Sequence, residues 1–363
     1  MTDLKLIVLD SMQEMGEKVN AHLKKMCKTK EDFIVPVVVS KFNNGEGKVK
    51  ISESIRNKDV YILSDVGNHS ITYKMYDYIN HKSPDDHYQD IKRVIYAVRD
   101  HSKCNSIIMP LLYASRQHRR AGRESLDCAA SLQELVGLKV KNIVTFDLHD
   151  ADIQNAIPNS SFENFYPTKE IIESFLNNED IDFQNIFVIA PDTGAIGRAN
   201  LYANLFKCNM GFFRKERDTS VLVDGKNPII DHQYVGPKFK GKNVIIVDDM
   251  IASGDSISDV SKVARELGAN KIYLTATFAL FTKGIEEIQK AYDDKQFDKI
   301  YTTNLTYQNP EYAKLPWLEV VDCSCKIAKV ICHLNQGKSL SPLLNESAEI
   351  TEMITKKITE KAE

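Results

Sequence analysis

Short apolar runs without polar alternation recur along the whole of this 363-residue chain, and they fix the fold class more tightly than anything else in it. FIVPVVVS (33–40), DVYILS (59–64), NSIIMPLL (105–112) and KNIVTFDL (141–148) form one series. NIFVIAP (185–191), MGFFR (210–214), NVIIVDD (243–249), KIYLTATF (271–278), KIYTTN (299–304) and LEVVDCS (318–324) form a second. A strand that reads Val/Ile without alternation is covered on both faces, which implies a parallel sheet between layers of helices. Amphipathic stretches lie between the runs. In SISDVSKVARELG, residues Ile257, Val260, Val263, Ala264 and Leu267 share one helical face and Gly268 supplies the stop. The expectation is two α/β domains of four to six strands each.

The length supports two cores rather than one. A polar, Pro-containing stretch, NAIPNSSFENFYPT (155–168), separates the two series and sets the expected domains at 1–163 and 164–345, with a charged, exposed helical tail at 346–363. A long segment with few core signals, 215–242, reads as a functional loop. HKSPDDHYQD (81–90) reads as a solvated surface insertion, although His81, Asp85, Asp86 and His87 are of metal-ligating types.

The chain carries 47 basic and 50 acidic residues, so no nucleic-acid footprint is present. No apolar run reaches the roughly 18 to 20 residues that span a bilayer. MTDLKLIVLD lacks the order of a signal peptide, so a cytoplasmic location without membrane contact is expected. Seven cysteines form no CxxC pair; Cys323 and Cys325 read as buried thiols in a strand.

The stretch NVIIVDDMIASGDSI (243–257) poses the chemical question. Two adjacent carboxylates, Asp248 and Asp249, repel unless something compensates them. A strand, a tight loop and a helix start together leave unpaired N–H groups and a positive dipole end for an anion. Ser253 and Ser256 add hydroxyl donors and Gly254 permits close approach. A sugar phosphate fits, its phosphate on the loop and its hydroxyls on the carboxylates, directly or through magnesium. The plainer alternative is an acidic N-cap on an ordinary helix. The full pattern resembles the phosphoribosyl-binding loop of the phosphoribosyltransferase fold.

The order FNNGE, YASRQ, DLH, PDTGAIGRA, KER and VDDMIASGDS, closed by NQGKSLSPLL, resembles the ribose-phosphate pyrophosphokinase (phosphoribosyl pyrophosphate synthetase) family over residues 33 to 345. That resemblance implies two tandem phosphoribosyltransferase-like domains, each a mainly parallel sheet flanked by helices. It implies Mg2+-dependent transfer of the β,γ-diphosphoryl group of ATP to the anomeric hydroxyl of ribose 5-phosphate, leaving AMP. Phe42, Asn44 and Glu46 match the family's adenine turn, usually supplied by a neighbouring subunit, and Arg116 and Gln117 match its ATP-binding pair. His149 and Asp192 match its magnesium ligands. Lys215 and Arg217 match the catalytic pair of a mobile loop spanning about 211–242. Asp248 and Asp249 with Ala252, Ser253, Gly254, Asp255 and Ser256 match the ribose 5-phosphate site. A homo-oligomer, a hexamer built from dimers, is also implied.

Taken singly, Arg116 reads equally as a surface ion-pair residue, His149 as a core histidine satisfied by Asp147 or Asp150, and Lys215 as a solvated charge. The loop departs from the family's usual DTxGT: Ala252 replaces the acid and the glycine stands one place earlier. Asn44 and His118 stand where aspartates are usual. A non-catalytic regulatory homologue or a phosphoribosyltransferase are the alternative functions.

Overall fold

The computed structural model describes residues 3–120, 122–217 and 229–362. They divide into two compact units. The first comprises Met1–Pro167, Asn304–Tyr307 and Asp322–Asn345; the second comprises Thr168–Thr303, Gln308–Val321 and Glu346–Glu363.

The first unit contains β1 (Leu4–Val8), α1 (Gln13–Cys27), β2 (Val37–Lys41), β3 (Gly47–Ile51), β4 (Asp59–Leu63), β5 (Thr72–Met75), β6 (Tyr78–His81), α2 (Pro84–Val98), β7 (Cys104–Ile108), α3 (Asp127–Gly137), β8 (Asn142–Phe146) and β9 (Ser161–Phe165). Its sheet runs β1-β4-β7-β8-β9, parallel throughout. Val60, Ile62, Ile107 and Ile143 meet Ile91, Val94 and Ile95 of α2 and Leu132 and Leu135 of α3. The β2–β3 hairpin alternates, turning Val37, Val39, Val49 and Ile51 toward that core and its charged residues outward.

The second unit contains α4 (Thr168–Asn178), β10 (Ile186–Ala190), α5 (Ile196–Phe206), β11 (Met210–Arg217), β12 (Ile229–Val235), β13 (Asn243–Ile251), α6 (Asp255–Glu266), β14 (Lys271–Ala279), α7 (Glu286–Asp293), β15 (Lys299–Thr303) and β16 (Leu318–Val321). The chain then returns to the first unit as α8 (Ser324–Gln336) and α9 (Ser341–Leu344), and α10 (Ser347–Ala362) ends in the second. The seven strands run β12-β11-β10-β13-β14-β15-β16, with only β12 antiparallel to its neighbour. Helices α6 and α7 cover one face through Ile257, Val260 and Ile288; α4, α5 and α10 cover the other.

Several elements differ from the sequence reading. The stretch 81–90 is no solvated loop: α2 starts there with a Ser83–Asp86 capping box, and His87 and Asp90 are buried. Burial of these polar groups is compensated. Lys82 pairs with Asp10 and Asp90, and His87 Nε2 lies 2.7 Å from the Asn68 carbonyl. Cys323 and Cys325 open α8, a helix packed along α1, rather than a strand. The C-terminal helix is not wholly exposed, because Ile350 and Ile354 sit at helical spacing and bury against α4 and α5. The sheet of the second unit has seven strands because part of the expected 215–242 loop is the β11–β12 hairpin.

One buried carboxylate ties the Asn304–Tyr307 segment into the first unit. Asp65 accepts the Gly67 N–H at 2.8 Å, the Tyr307 N–H at 2.7 Å and the Thr306 hydroxyl at 3.1 Å. Burial outweighs these donors and pushes its pKa from 3.8 up to about 6. The folded state therefore holds this proton more tightly than the unfolded chain. That stabilisation is complete below pH 3.8 and lost as the pH rises through about 6, roughly 3 kcal/mol in all. Asp65→Asn, which cannot ionise, is expected to gain on the wild type by about 2 kcal/mol between about pH 4.5 and 7.5. Paired urea unfolding curves measure this; a difference independent of pH shows that Asp65 is ionised throughout.

Candidate functional site

Strand β13 carries buried Val244 to Val247 between two helix layers, then delivers Asp248 and Asp249 at its C-terminal end. The strand does not stop at the carboxylates. Pairing with β14 continues through Met250–Phe278 and Ile251–Ala279, which holds both acids on rigid backbone. Asp249 is 3% exposed, with Arg198 Nη2 of α5 at 3.9 Å from its Oδ2. Arg198 is thus one compensating charge, and it lies in the GAIGRA stretch whose arginine sequence reasoning left without a role. The Asp249 N–H donates to Asp248 Oδ1 at 2.9 Å. Burial first, then the neighbouring Asp249 and Asp192 carboxylates, raise the Asp248 pKa well above the usual range. Such a surplus of negative charge favours hydroxyl donors or a cation.

The adjacent strand β10 leads into Asp192, whose Oδ1 accepts the N–H groups of Gly194 at 2.9 Å and Ala195 at 3.3 Å just before α5. Between β13 and α6, the loop holds Ala252, Ser253, Gly254, Asp255 and Ser256. Gly254 is the N-cap, at φ +93°, and no side chain caps the helix. The acidic-cap alternative therefore fails: Asp255 is the first helical residue, and the first-turn N–H groups remain for a ligand. A Cβ on Gly254 would come within 2.7 Å of Ile288. Ser253 Oγ donates to Asp255 Oδ2 at 3.0 Å.

Lys215 and Arg217 lie on β11, opposite His232 and Ile229 of β12; their side chains and residues 218–228 fall outside the described residues.

In the first unit, Arg116 and Gln117 are exposed in the turn after β7, where the Gln117 N–H donates to the Ala114 carbonyl at 2.8 Å. His149 is exposed after β8, which excludes a core histidine. The His118 ring meets it edge-on at 5.3 Å between centroids. Asp150 is engaged by His118 Nε2 at 3.2 Å and Arg119 Nη2 at 2.8 Å. The Asp152 N–H, with His118 and Arg119 beside it, holds its carboxyl below the usual range. So neighbouring strands β7 and β8 bring the Arg116–Gln117 turn and His149 to one sheet edge.

Phe42, Asn44 and Glu46 sit apart, at the β2–β3 tip. The Phe42 N–H donates to the Glu46 carbonyl at 2.7 Å, and the Glu46 N–H to Asn44 Oδ1 at 3.2 Å. Phe42 is 55% exposed beside an open depression lined by Lys41, Phe42, Asn43, Asn44 and Glu46. A flat ring with amide and carboxylate groups suits an aromatic base.

Among the described residues, no three His, Cys, Asp or Glu side chains converge as a metal cage. Magnesium does not require one, since it keeps waters and takes one or two carboxylates plus phosphate oxygens. Also among the described residues, no helix is long and apolar enough to cross a membrane.

Comparison with known proteins agrees with this geometry. Residues 4–137 match the N-terminal domain of ribose phosphate pyrophosphokinase, and residues 168–313 match the phosphoribosyl transferase domain. A ribose-phosphate pyrophosphokinase of Nostoc sp. is 26% identical over 312 residues, 85% of this chain and 86% of that protein. Ribose-phosphate pyrophosphokinase 1 of Lactococcus lactis is 27% identical over 349 residues, 94% of this chain and 96% of that protein. The crystal structure of phosphoribosylpyrophosphate synthetase from Mycobacterium smegmatis superposes with a TM-score of 0.74 at 20% identity, covering 92% of this chain and 99% of that one. These matches establish the two phosphoribosyltransferase-like domains.

The left-handed backbone at Gly254 generates a prediction. Gly254→Ala is expected to lose about 1–2 kcal/mol from an unfavourable φ. That corresponds to a drop of about 2–8 °C in Tm. The variant should also bind a phosphate monoester more weakly, since the first-turn N–H groups shift with the cap. Differential scanning calorimetry and ligand titration check both; unchanged stability would mean the loop relaxes to another backbone conformation.

Proposed function

Because the chain belongs to the ribose-phosphate pyrophosphokinase family, we propose that it transfers the β,γ-diphosphoryl group of ATP to the anomeric hydroxyl of ribose 5-phosphate. The products are phosphoribosyl pyrophosphate and AMP. The observation that carries this reading is the uncapped α6 start placed directly beyond Asp248 and Asp249. It offers an anion cradle and hydroxyl acceptors on consecutive turns of one rigid strand–loop–helix unit.

The phosphate of ribose 5-phosphate rests on the N–H groups and hydroxyls of Ala252 to Ser256. Asp248 and Asp249 accept ribose hydroxyls, with Arg198 keeping Asp249 oriented. Arg116 and Gln117 take the ATP phosphates, and a guanidinium fork suits them. Phe42, Asn44 and Glu46 bind the adenine, and the exposed Phe42 ring fits a turn that serves a neighbouring copy in a homo-oligomer. Magnesium, when bound, would neutralise the polyphosphate; His149 in the first unit, directly or through water, and Asp192 in the second are each of a type to ligate it.

The reaction is one displacement. The anomeric oxygen forms a bond to the β-phosphorus as the bond from that phosphorus to the α,β-bridging oxygen breaks. AMP departs with the bridging oxygen and the anomeric proton passes to solvent. Positioning and charge neutralisation supply the rate, and no covalent intermediate is needed. Lys215 and Arg217 neutralise the reacting oxygens.

The test is AMP release from ATP, Mg2+ and ribose 5-phosphate. The wild type should form AMP only when the sugar phosphate is present, and Lys215→Ala should cut the rate by about a hundred- to a thousand-fold. Sugar-independent AMP or none at all overturns the assignment. A reaction that instead consumes phosphoribosyl pyrophosphate with a nucleobase identifies a phosphoribosyltransferase.

A further inference from the structure

We infer that Lys283 is an additional ligand of the sugar phosphate, held in reserve by Asp255 until the phosphate arrives. This rests on reading Ala252 to Ser256 as the phosphate loop. A phosphate dianion bound there meets an obstacle within its own cradle. The Asp255 carboxylate is the first residue of α6 and already accepts the Ser253 hydroxyl at 3.0 Å. A second anion on the same helix end is opposed by Coulomb repulsion, and one of the loop's two serine donors is engaged.

Lys283 answers both difficulties. Its Nζ lies 2.7 Å from Asp255 Oδ2, the same oxygen that Ser253 uses, and holds that carboxyl below its ordinary pKa. An ion pair this exposed, 66% and 53% for the two side chains, contributes little to stability. Its cost of rearrangement is correspondingly small.

The placement of Lys283 is nonetheless built. The segment from β14 to α7 is bonded to the phosphate loop through its main chain: the Leu280 N–H donates to the Ile251 carbonyl and the Thr282 N–H to the Ala252 carbonyl, both at 2.8 Å. Phe281 between them is 7% exposed, with its ring edge-on to Tyr312 and Trp317 in the core. Gly284, at φ +82°, turns the chain away into α7, and its N–H bonds back to the Phe281 carbonyl. The Lys283 backbone is thus fixed beside Ala252, while its long side chain stays free to swing from the carboxylate to a phosphate oxygen.

As a phosphate monoester enters, Lys283 moves from Asp255 to the phosphate, and Ser253 turns its hydroxyl to the same ligand. Asp255 is left to the α6 dipole and solvent, where a first-turn carboxylate is tolerated. A lysine suits this exchange, being a flexible point charge with three donors. The acid keeps Lys283 nearby in the empty site and competes with weakly bound anions.

Calorimetric titration of the full chain with ribose 5-phosphate, inorganic phosphate and, as a control, MgATP tests this. Lys283→Gln should weaken ribose 5-phosphate and inorganic phosphate by about ten- to a hundred-fold and leave MgATP unchanged. Asp255→Asn should tighten inorganic phosphate by about threefold or more, and should make Lys283→Gln more costly in the double variant than in the wild type. If ribose 5-phosphate tightens but inorganic phosphate does not, the carboxylate does not compete with free anions and that half of the inference falls. Equal sugar-phosphate affinity in Lys283→Gln and wild type, with unchanged Tm, overturns the role of Lys283 while the site reading stands. A wild type that binds no sugar phosphate overturns both.

Discussion

The paired candidate residues along each large sheet depend on one constraint: a parallel strand buried on both faces can present functional side chains only at its ends. Val244 to Val247 have helices above and below, and so do Phe187 to Ile189 in β10; Ile107 and Ile108 in β7 are equally buried. Because the strands are parallel, their C-terminal ends lie on one edge, together with the N-termini of the helices that follow. Asp192 follows β10 and Asp248 lies on β13, its neighbour in the sheet. Arg116 follows β7 and His149 follows β8, again neighbours. Residues far apart in sequence are thus collected two by two without any long-range element dedicated to the task.

The same constraint explains what could be read from the sequence. Runs such as NVIIVDD and KIYLTATF have no alternation to confuse them, and they became central strands. Strand β9, SFENF, escaped detection because it is an edge strand with mixed polarity, and its Pro-flanked setting looked like a linker. Helix α2 was hidden for a different reason. Its N-terminal half is polar; the burial of Asp90 is made tolerable by Lys82 and Arg93 and that of His87 by the Asn68 carbonyl, partners separated or oriented by the fold. Sequence pattern carries no record of such pairing. In α10 the charges dominated the reading, although Ile350 and Ile354 were already at helical spacing.

The candidate site was legible to the extent that chemistry is local. Asp248 to Ser256 form one continuous stretch, and the strand–loop–helix geometry follows from the apolar run, Gly254 and the amphipathic helix behind it. Contacts made across the sheet were not legible. Arg198 reaches Asp249 from α5, and His118 meets His149 from the preceding turn, each depending on which strands are adjacent. Asp255 lies within that stretch, yet its partner Lys283 is 28 residues away.

The hairpin that carries Phe42 shows how buried charge serves position more than stability. Lys41, immediately before Phe42, pairs with Asp86 in the α2 capping box and lies 4.3 Å from the centre of the Tyr73 ring. The Tyr76 N–H donates to the Asn43 carbonyl at 2.7 Å, so the β5–β6 hairpin braces the same turn. Beneath it, Arg93 pairs with Asp90 and lies so close to Gly47 that any Cβ there would collide with the guanidinium. Taking these charges out of water consumes most of what their attraction returns, so the net stabilisation is small. The directional effect is large, because sliding the hairpin by one residue would leave a buried lysine unpaired and turn its valines to solvent. A tip with an exposed aromatic ring can therefore remain geometrically defined: its rigidity comes from the ionic and main-chain contacts behind it, and its apolar surface stays available for a flat ligand.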